Sequence, residues 1–392
     1  MSAAIPVIDT DSHISEPPDL WTSRLSSAKY GDLIPHVVWD ERRQMDRWVV
    51  GEKRLTGVSS WAMAGWPDYP PSHPPRYEDA DPGAFEVGPR VERLDEYGVH
   101  AQVLYPNLLA FFSYAFLALD DLGLRLACVE AYNDFLTDFS NAAPGRFIPL
   151  TALPFWDVDA SLAEIQRCHD AGHKGVVFAS KPERIGFPPL RDDHWAPVLE
   201  LIQSLGSSVN FHVGFQEMDE TDIRGMIGMA KVRADYARDS AISMLGNSSA
   251  IADVIMSGLC ERYPDLPFVS VESGFGWLPY FVEAMDWQWL NSGAAKEMPE
   301  RLMPSEYFKR QIVGSFWFEQ ESIKRLIDLY PDNVMFETDF PHPTSLSPGP
   351  ASSSLNPKDM IEASLGGVPE DIRRKVLYGT AARIYNLEVP AA

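Results

Sequence analysis

Four side chains of the kind that hold metal ions stand at the ends of short apolar runs: Asp11 and His13 in IPVIDTDSH, His212 in SSVNFHVG, and Asp339 in NVMFETDFPH. Residues two apart on a strand share a face, so Asp11 and His13 turn a carboxylate oxygen and an imidazole nitrogen to the same side. An Asp or His placed there loses hydration, which is unfavourable unless a partner compensates it. One divalent cation compensates all four. Nitrogen and oxygen donors with an open coordination position suit catalytic Zn2+ best, and the carboxylate share also admits Mn2+ or Fe2+. The chemistry on offer is polarisation of a carbonyl or activation of a bound water.

These side chains act together only if distant segments converge. The chain repeats one order: a short β-branched run, a polar loop, an amphipathic stretch, a turn, another short run. That alternation predicts parallel βαβ units. Ile251, Val254, Ile255 and Leu259 lie at helical spacing before RYPDLP and the run FVSVES, and Ile323, Leu326, Ile327 and Tyr330 repeat the arrangement before VMFETDF. Eight strands are expected, at about 5–11, 100–106, 147–153, 174–179, 208–213, 268–273, 312–317 and 333–338. Helices are expected near 91–97, 120–142, 158–171, 194–205, 235–263, 276–290, 320–330 and 357–377. Eight alternating strands make a (β/α)8 barrel of the TIM type. Residues 1–392 read as one such domain, with an insertion at about 30–90 after the first strand. Within it, HVVWDERRQMDRWVV reads as a β-hairpin. The Pro- and aromatic-rich stretch up to about residue 90 reads as an irregular loop that serves as a lid or a dimer contact.

Composition narrows the partners. Hydrophobic residues make up 45% and charged residues 23%, the balance of a globular protein with a sizeable core. A net charge of −23 repels nucleic acid and anionic membrane surfaces. The opening MSAAIPVIDTD lacks the pattern of an export signal, and no apolar run is long enough to span a bilayer, so a cytoplasmic protein is expected. Cys128, Cys168 and Cys260 are odd in number and widely spaced, which fits buried spacers rather than disulfides or thiolate ligands. GFGW is not a dinucleotide fingerprint, and no G-x-S-x-G elbow occurs, so neither a nucleotide cofactor nor a serine nucleophile is expected. Residues 225–246, with Met and Leu at irregular helical spacing, read as core or dimer packing.

DTDSHISEPPDLW, FHVG, ESGFGWLP, ETDFPH and LYGTAARIYNL occur in that order along nearly the whole chain. Together they resemble the second amidohydrolase group, whose relatives include aminocarboxymuconate-semialdehyde and γ-resorcylate-type decarboxylases. The resemblance implies that Asp11 and His13 stand where the family has His-x-His or Glu-x-His, with His212 and Asp339 as the ligands of barrel strands five and eight. It also implies a homodimer and non-oxidative decarboxylation of a small aromatic or unsaturated carboxylic acid. The metal would bind the carboxylate and a neighbouring oxygen while an acid protonates the ring carbon. One position departs from the family: Glu272 ends strand six, where its decarboxylases carry a His. Glu272 is therefore the candidate general acid or base, or else a group that accepts the N–H of His212. His342 is a rival proton carrier, and Asp339 a candidate base. Glu16, Arg90, Tyr105 and Trp317 are candidate substrate contacts, with Asn107 and Lys181 also near strand ends or loops. The departure at Glu272 keeps metal-dependent hydrolysis of an amide, lactone or carbon–carbon bond open as an alternative. A third reading is a barrel that binds ligand without turnover.

Overall fold

In the computed structural model of the chain, eight parallel strands close on themselves. It describes residues 5–58, 60–215 and 233–388. The barrel strands are β1 (Ile8–His13), β5 (Ala101–Tyr105), β6 (Phe147–Thr151), β7 (Gly175–Val177), β8 (Ser208–His212), β9 (Phe268–Val271), β10 (Ile312–Phe316) and β11 (Val334–Phe336). Each neighbours the next in chain order, and β11 returns to β1, which closes the ring. All eight lie within a few residues of the runs read from the sequence. Every strand residue is buried, as it must be in a parallel sheet covered by helices.

Between β1 and β5 lies an antiparallel sheet of β2 (His36–Asp40), β3 (Met45–Val50) and β4 (Lys53–Gly57). The expected hairpin thus has a third strand, reached through the two-residue turn Gly51–Glu52, where Gly51 takes φ 55°. Trp21 fastens this sheet to the barrel. It is fully buried, donates from Nε1 to the Cys128 carbonyl at 2.9 Å, and meets Trp48 edge-on with centroids 5.2 Å apart. Trp21→Ala is expected to destabilise the protein by about 3–5 kcal/mol, the usual cost of emptying an aromatic core site. Urea unfolding measures this, and a loss under about 1 kcal/mol would contradict the packing described.

Two expected helices are broken. The stretch 235–263 divides into Arg233–Ser243, Ser248–Met256 and Leu259–Arg262. The first break lies at Asn247, whose buried amide leaves the helical pattern to donate to the carbonyls of Phe211 and Val271 and to Ser270 Oγ, at 3.0, 3.2 and 3.0 Å. It thereby ties the ends of β8 and β9 together. The stretch 357–377 stops at Leu365 because Gly366, Gly367 at φ 81° and Pro369 follow. Of the segment 225–246, residues 225–232 lie outside the described residues, and the helix Arg233–Ser243 buries none of its side chains, with Ile242 exposed. Core packing therefore does not describe this helix. The three cysteines are free and buried. Among the described residues no helix is long and apolar enough to cross a membrane.

Polar side chains join the strands inside the ring. Asp9 accepts from the Thr338 amide (2.8 Å), Thr338 Oγ1 (2.5 Å) and Gln102 Nε2 (2.7 Å), which binds β1 to β5 and to the segment after β11. That segment continues the sheet: His13 donates its amide to the Phe340 carbonyl at 2.7 Å, and Asp339 donates its own to the Asp11 carbonyl at 2.9 Å. The ligand-type residues of the first and last barrel strands are thus held by main-chain bonds.

Candidate metal centre

At the C-terminal mouth, Asp11, His13, His212, Asp339, Glu272 and His342 come together. His212 is opposite Val271 in the β8–β9 register, so Glu272 emerges one residue above it. Glu272 and Asp339 have φ values of 51° and 59°, backbone conformations that non-glycine residues adopt only where surroundings enforce them. His13 Nε2 and His212 Nε2 are 3.0 Å apart, and Asp11 Oδ1 is 3.6 Å from each. Asp339 Oδ1 is 3.6 Å from His13 Nε2, and Glu272 Oε2 is 3.1 Å from His212 Nε2.

The proton positions decide what these atoms offer. His212 Nδ1 faces the Val213 carbonyl at 2.9 Å; a carbonyl only accepts, so the proton sits on Nδ1 and the lone pair on Nε2 points into the cluster. The expectation that Glu272 accepts this N–H is thereby corrected: Val213 takes it. Asn107 is oriented by its Nδ2, which donates to the Ile14 carbonyl at 3.0 Å, so its Oδ1 accepts from His342 Nε2 at 2.7 Å. The basic Nδ1 of His342 then lies 2.9 Å from Asp339 Oδ1, and its ring stacks on His13 at 3.6 Å. Both oxygens of Asp11, Asp339 Oδ1 and Glu272 Oε2 have no hydrogen-bond partner.

Unpartnered carboxylate oxygens and the Nε2 atoms of two histidines 3.0 Å apart therefore converge on a small buried space, an arrangement a divalent cation satisfies. The donor set fits such an ion, with Asp11, His13, His212 and Glu272 forming one mutually close group and His13, Glu272, Asp339 and His342 another. Electrostatics agree. Burial holds His13 and His342 well below the usual histidine range, so both are neutral donors. Burial opposes charge on His212 too, but Asp11 and Glu272 outweigh it and raise its affinity for a proton. Burial also pushes Glu272 and Asp339 upward.

Glu272, with 22% of its side chain exposed, faces a cleft walled by Trp61, Phe111, Tyr236, Trp317 and His342. Trp61 and Phe111 are nearly parallel, at 18° with centroids 5.1 Å apart. The described walls enclose about 60 Å³, and they present flat apolar faces.

Of the expected substrate contacts, Trp317 lines this cleft, while Glu16, Arg90 and Tyr105 do not. Arg90 is fully buried behind the site, where it donates to the His13 carbonyl and covers the Phe340 ring. Tyr105 lies below the two histidines, its hydroxyl 3.4 Å from Asn210 Oδ1. Lys181 is half-buried and outside the described lining. Glu16 turns its Oε1 to the amides of Asn107 and Leu108, at 2.9 and 2.8 Å, and so holds the residue that orients His342.

Burial pushes the Glu16 carboxyl up to about 7, against the lowering effect of those amides. Because the folded value is raised, the stability it contributes is full below the ordinary glutamate range and is lost as pH rises through about 7. A shift of this size is worth about 3 kcal/mol. Glu16→Gln, whose amide oxygen accepts the same two N–H groups, is expected to flatten stability between pH 5 and 8 by an amount of that order. Urea unfolding at both pH values measures it, and identical pH slopes for variant and native protein would contradict the assignment.

Two buried carboxylates were missed by sequence reasoning. Glu337 accepts from Ser315 Oγ and, at 3.3 Å, from the Glu272 amide. It sits two residues before Asp339, so the alternation that picked out Asp11 and His13 would have found it. Glu319 accepts from the amides of Phe275 and Gly276, at 2.8 and 2.7 Å, and steadies the loop that follows Glu272.

Residues 124–387 match the family model described as amidohydrolase. The chain belongs to that family. It is 26% identical over 263 residues to γ-resorcylate decarboxylase from a Rhizobium species, an alignment spanning 64% of this chain and 76% of the relative. Among solved structures, an amidohydrolase from Mycobacterium avium subsp. paratuberculosis superposes with a TM-score of 0.72 at 20% identity, covering 100% of both chains. A dihydroxybenzoic acid decarboxylase from a Polaromonas species, solved with manganese and 2-nitroresorcinol, superposes with a TM-score of 0.60 at 18% identity, over 98% of this chain and 97% of that one. This amidohydrolase-family protein is thus an enzyme by kinship, and its barrel is the family's fold.

Proposed function

We propose that this enzyme is a metal-dependent, non-oxidative decarboxylase of a small aromatic carboxylic acid. In this reading Asp11, His13, His212 and Asp339 hold one divalent ion, either Zn2+ or Mn2+. The observation that carries it is the convergence of unpartnered donor atoms at the floor of the cleft, with a partly exposed Glu272 at their edge, 3.1 Å from His212 Nε2. Kinship with γ-resorcylate decarboxylase supports the reaction class. The manganese in the Polaromonas relative supports the cofactor class.

A divalent ion bound there supplies a Lewis acid toward a carboxylate and an adjacent oxygen. The protein does the rest. Trp61, Phe111 and Trp317 present flat apolar faces toward Glu272 and limit the water that reaches it. Glu272, which burial keeps protonated above the usual carboxylate range, gives its proton to the ring carbon that bears the carboxylate. The bond from that carbon to the carboxylate then breaks, its electron pair returns to the ring, and CO2 leaves. Solvent restores the proton to Glu272 through its exposed edge. His342 is poorly suited to donate, because its one proton is engaged with Asn107. Asp339 serves as a ligand, while Asn107, Glu16, Glu319 and Glu337 act as positioning residues.

The test is incubation of Mn2+- or Zn2+-loaded enzyme with 2,6-dihydroxybenzoate and close hydroxybenzoates. CO2 and the matching phenol are expected in equal amounts. Inert hydroxybenzoates together with turnover of amides or lactones would replace this reading with hydrolysis.

A further inference from the structure

A second cavity of about 360 Å³ adjoins the reaction cleft. The two share Trp317, His342, Pro343 and Thr344, so one opens beside the other. Its far walls come from the insertion, around Trp66 and Tyr69, and from the loop after β11, around Ser345 and Ser347. These walls are fastened rather than loosely apposed. The amides of Met63 and Ala64 donate to the Pro341 carbonyl at 2.8 and 3.1 Å, the Leu346 amide donates to the Thr338 carbonyl at 2.9 Å, and Ser345 Oγ donates to Ser347 Oγ at 3.1 Å.

Size and chemistry define an occupant. A cavity of about 150 Å³ accepts benzene, so this one has room for a further ring or a group of similar bulk. Indole and phenol faces alternate with hydroxyls in its lining. No Lys or Arg is among the described lining residues, and its one carboxylate, Asp68, is paired with Arg233 at 2.7 Å. A second anionic group would meet no cation among the described lining residues, and Arg233, which also covers the Tyr69 ring, is already neutralised by Asp68.

Resting on the aryl-acid reading above, we propose that this cavity is a distal subsite. The preferred substrate is then an aryl carboxylic acid extended, away from its carboxyl group, by a neutral aromatic or hydroxylated substituent.

The test compares 2,6-dihydroxybenzoate with its 4-phenyl and 4-carboxyl derivatives on the metal-loaded enzyme. CO2 release gives kcat/KM, and calorimetry gives Kd. The 4-phenyl acid is expected to exceed the parent at least about tenfold in kcat/KM or affinity, with the 4-carboxyl acid below both. Ala351→Trp, which fills the outer cavity from its rim, is expected to bring the 4-phenyl to parent ratio close to one. Calorimetry reads the subsite even if none of the acids releases CO2, so failure of the reaction class and failure of the subsite are distinguishable. Equal binding of the phenyl and parent acids, preference for the dicarboxylate, or a ratio unchanged in Ala351→Trp would overturn the proposal.

Discussion

Asp339→Ala is expected to lower kcat/KM by about three orders of magnitude or more and to release the bound divalent ion, and His212→Ala is expected to do the same. Asp339 Oδ1 has no hydrogen-bond partner, His212 turns its Nε2 toward His13 Nε2 at 3.0 Å, and each belongs to a group of ligand atoms that lie close together. Removing either takes away one of the four ligands proposed to hold the ion. Loss of a Lewis acid is worth several kcal/mol of transition-state stabilisation, and each ~1.4 kcal/mol is tenfold in rate. Steady-state assays with the metal content of each preparation measure both effects. Native turnover with unchanged metal content in either variant would remove that residue from the site. The fold should survive, because His212 and Asp339 are tied in by main-chain bonds that the substitutions leave intact.

Glu272→Gln is expected to lower kcat about 10²- to 10⁴-fold, the usual worth of a positioned acid. Its ion should stay bound, since the ligands proposed to hold it remain. The glutamine keeps the shape and the φ of 51° but has no proton of useful acidity to give. The pH dependence has a definite sign. The reaction needs the protonated carboxyl, which burial favours and which His212 and a bound cation oppose. Turnover should therefore fall as pH rises through the pKa of Glu272 in the metal-loaded enzyme. Full turnover in Glu272→Gln, or a rate that climbs through the alkaline range, would show that another group supplies the proton.

The eight barrel strands were legible because each is a short apolar run between polar loops, and a parallel barrel needs little more than that pattern. The meeting of Asp11, His13, His212 and Asp339 at one mouth of the barrel was legible because charge at the end of an apolar strand is costly enough to demand a reason. What escaped depends on contacts between distant residues. The helix expected over 235–263 is interrupted before Asn247, which caps the next helix while its side-chain amide is held by β8 and β9. Glu16 and Arg90, picked for charge near strand ends, turned toward backbone groups instead of the cleft, and nothing local distinguishes those two fates. Trp61 and Phe111 entered the cleft wall from an insertion and from the one-turn helix Leu108–Phe111, neither of which has the periodicity to mark the orientation of a side chain. The tautomers of His212 and His342 were set by Val213 and Asn107, one adjacent in sequence and the other 235 residues away.

In the proposed site Asp11, His13, His212 and Asp339 together hold one catalytic ion. Anomalous diffraction from crystals of the Mn2+-loaded protein tests it most directly. A single strong peak is expected within bonding reach of Asp11 and Asp339 carboxylate oxygens and of the Nε2 atoms of His13 and His212. A metal-saturated crystal with no peak between these four residues, or with its ion bound elsewhere, would contradict it.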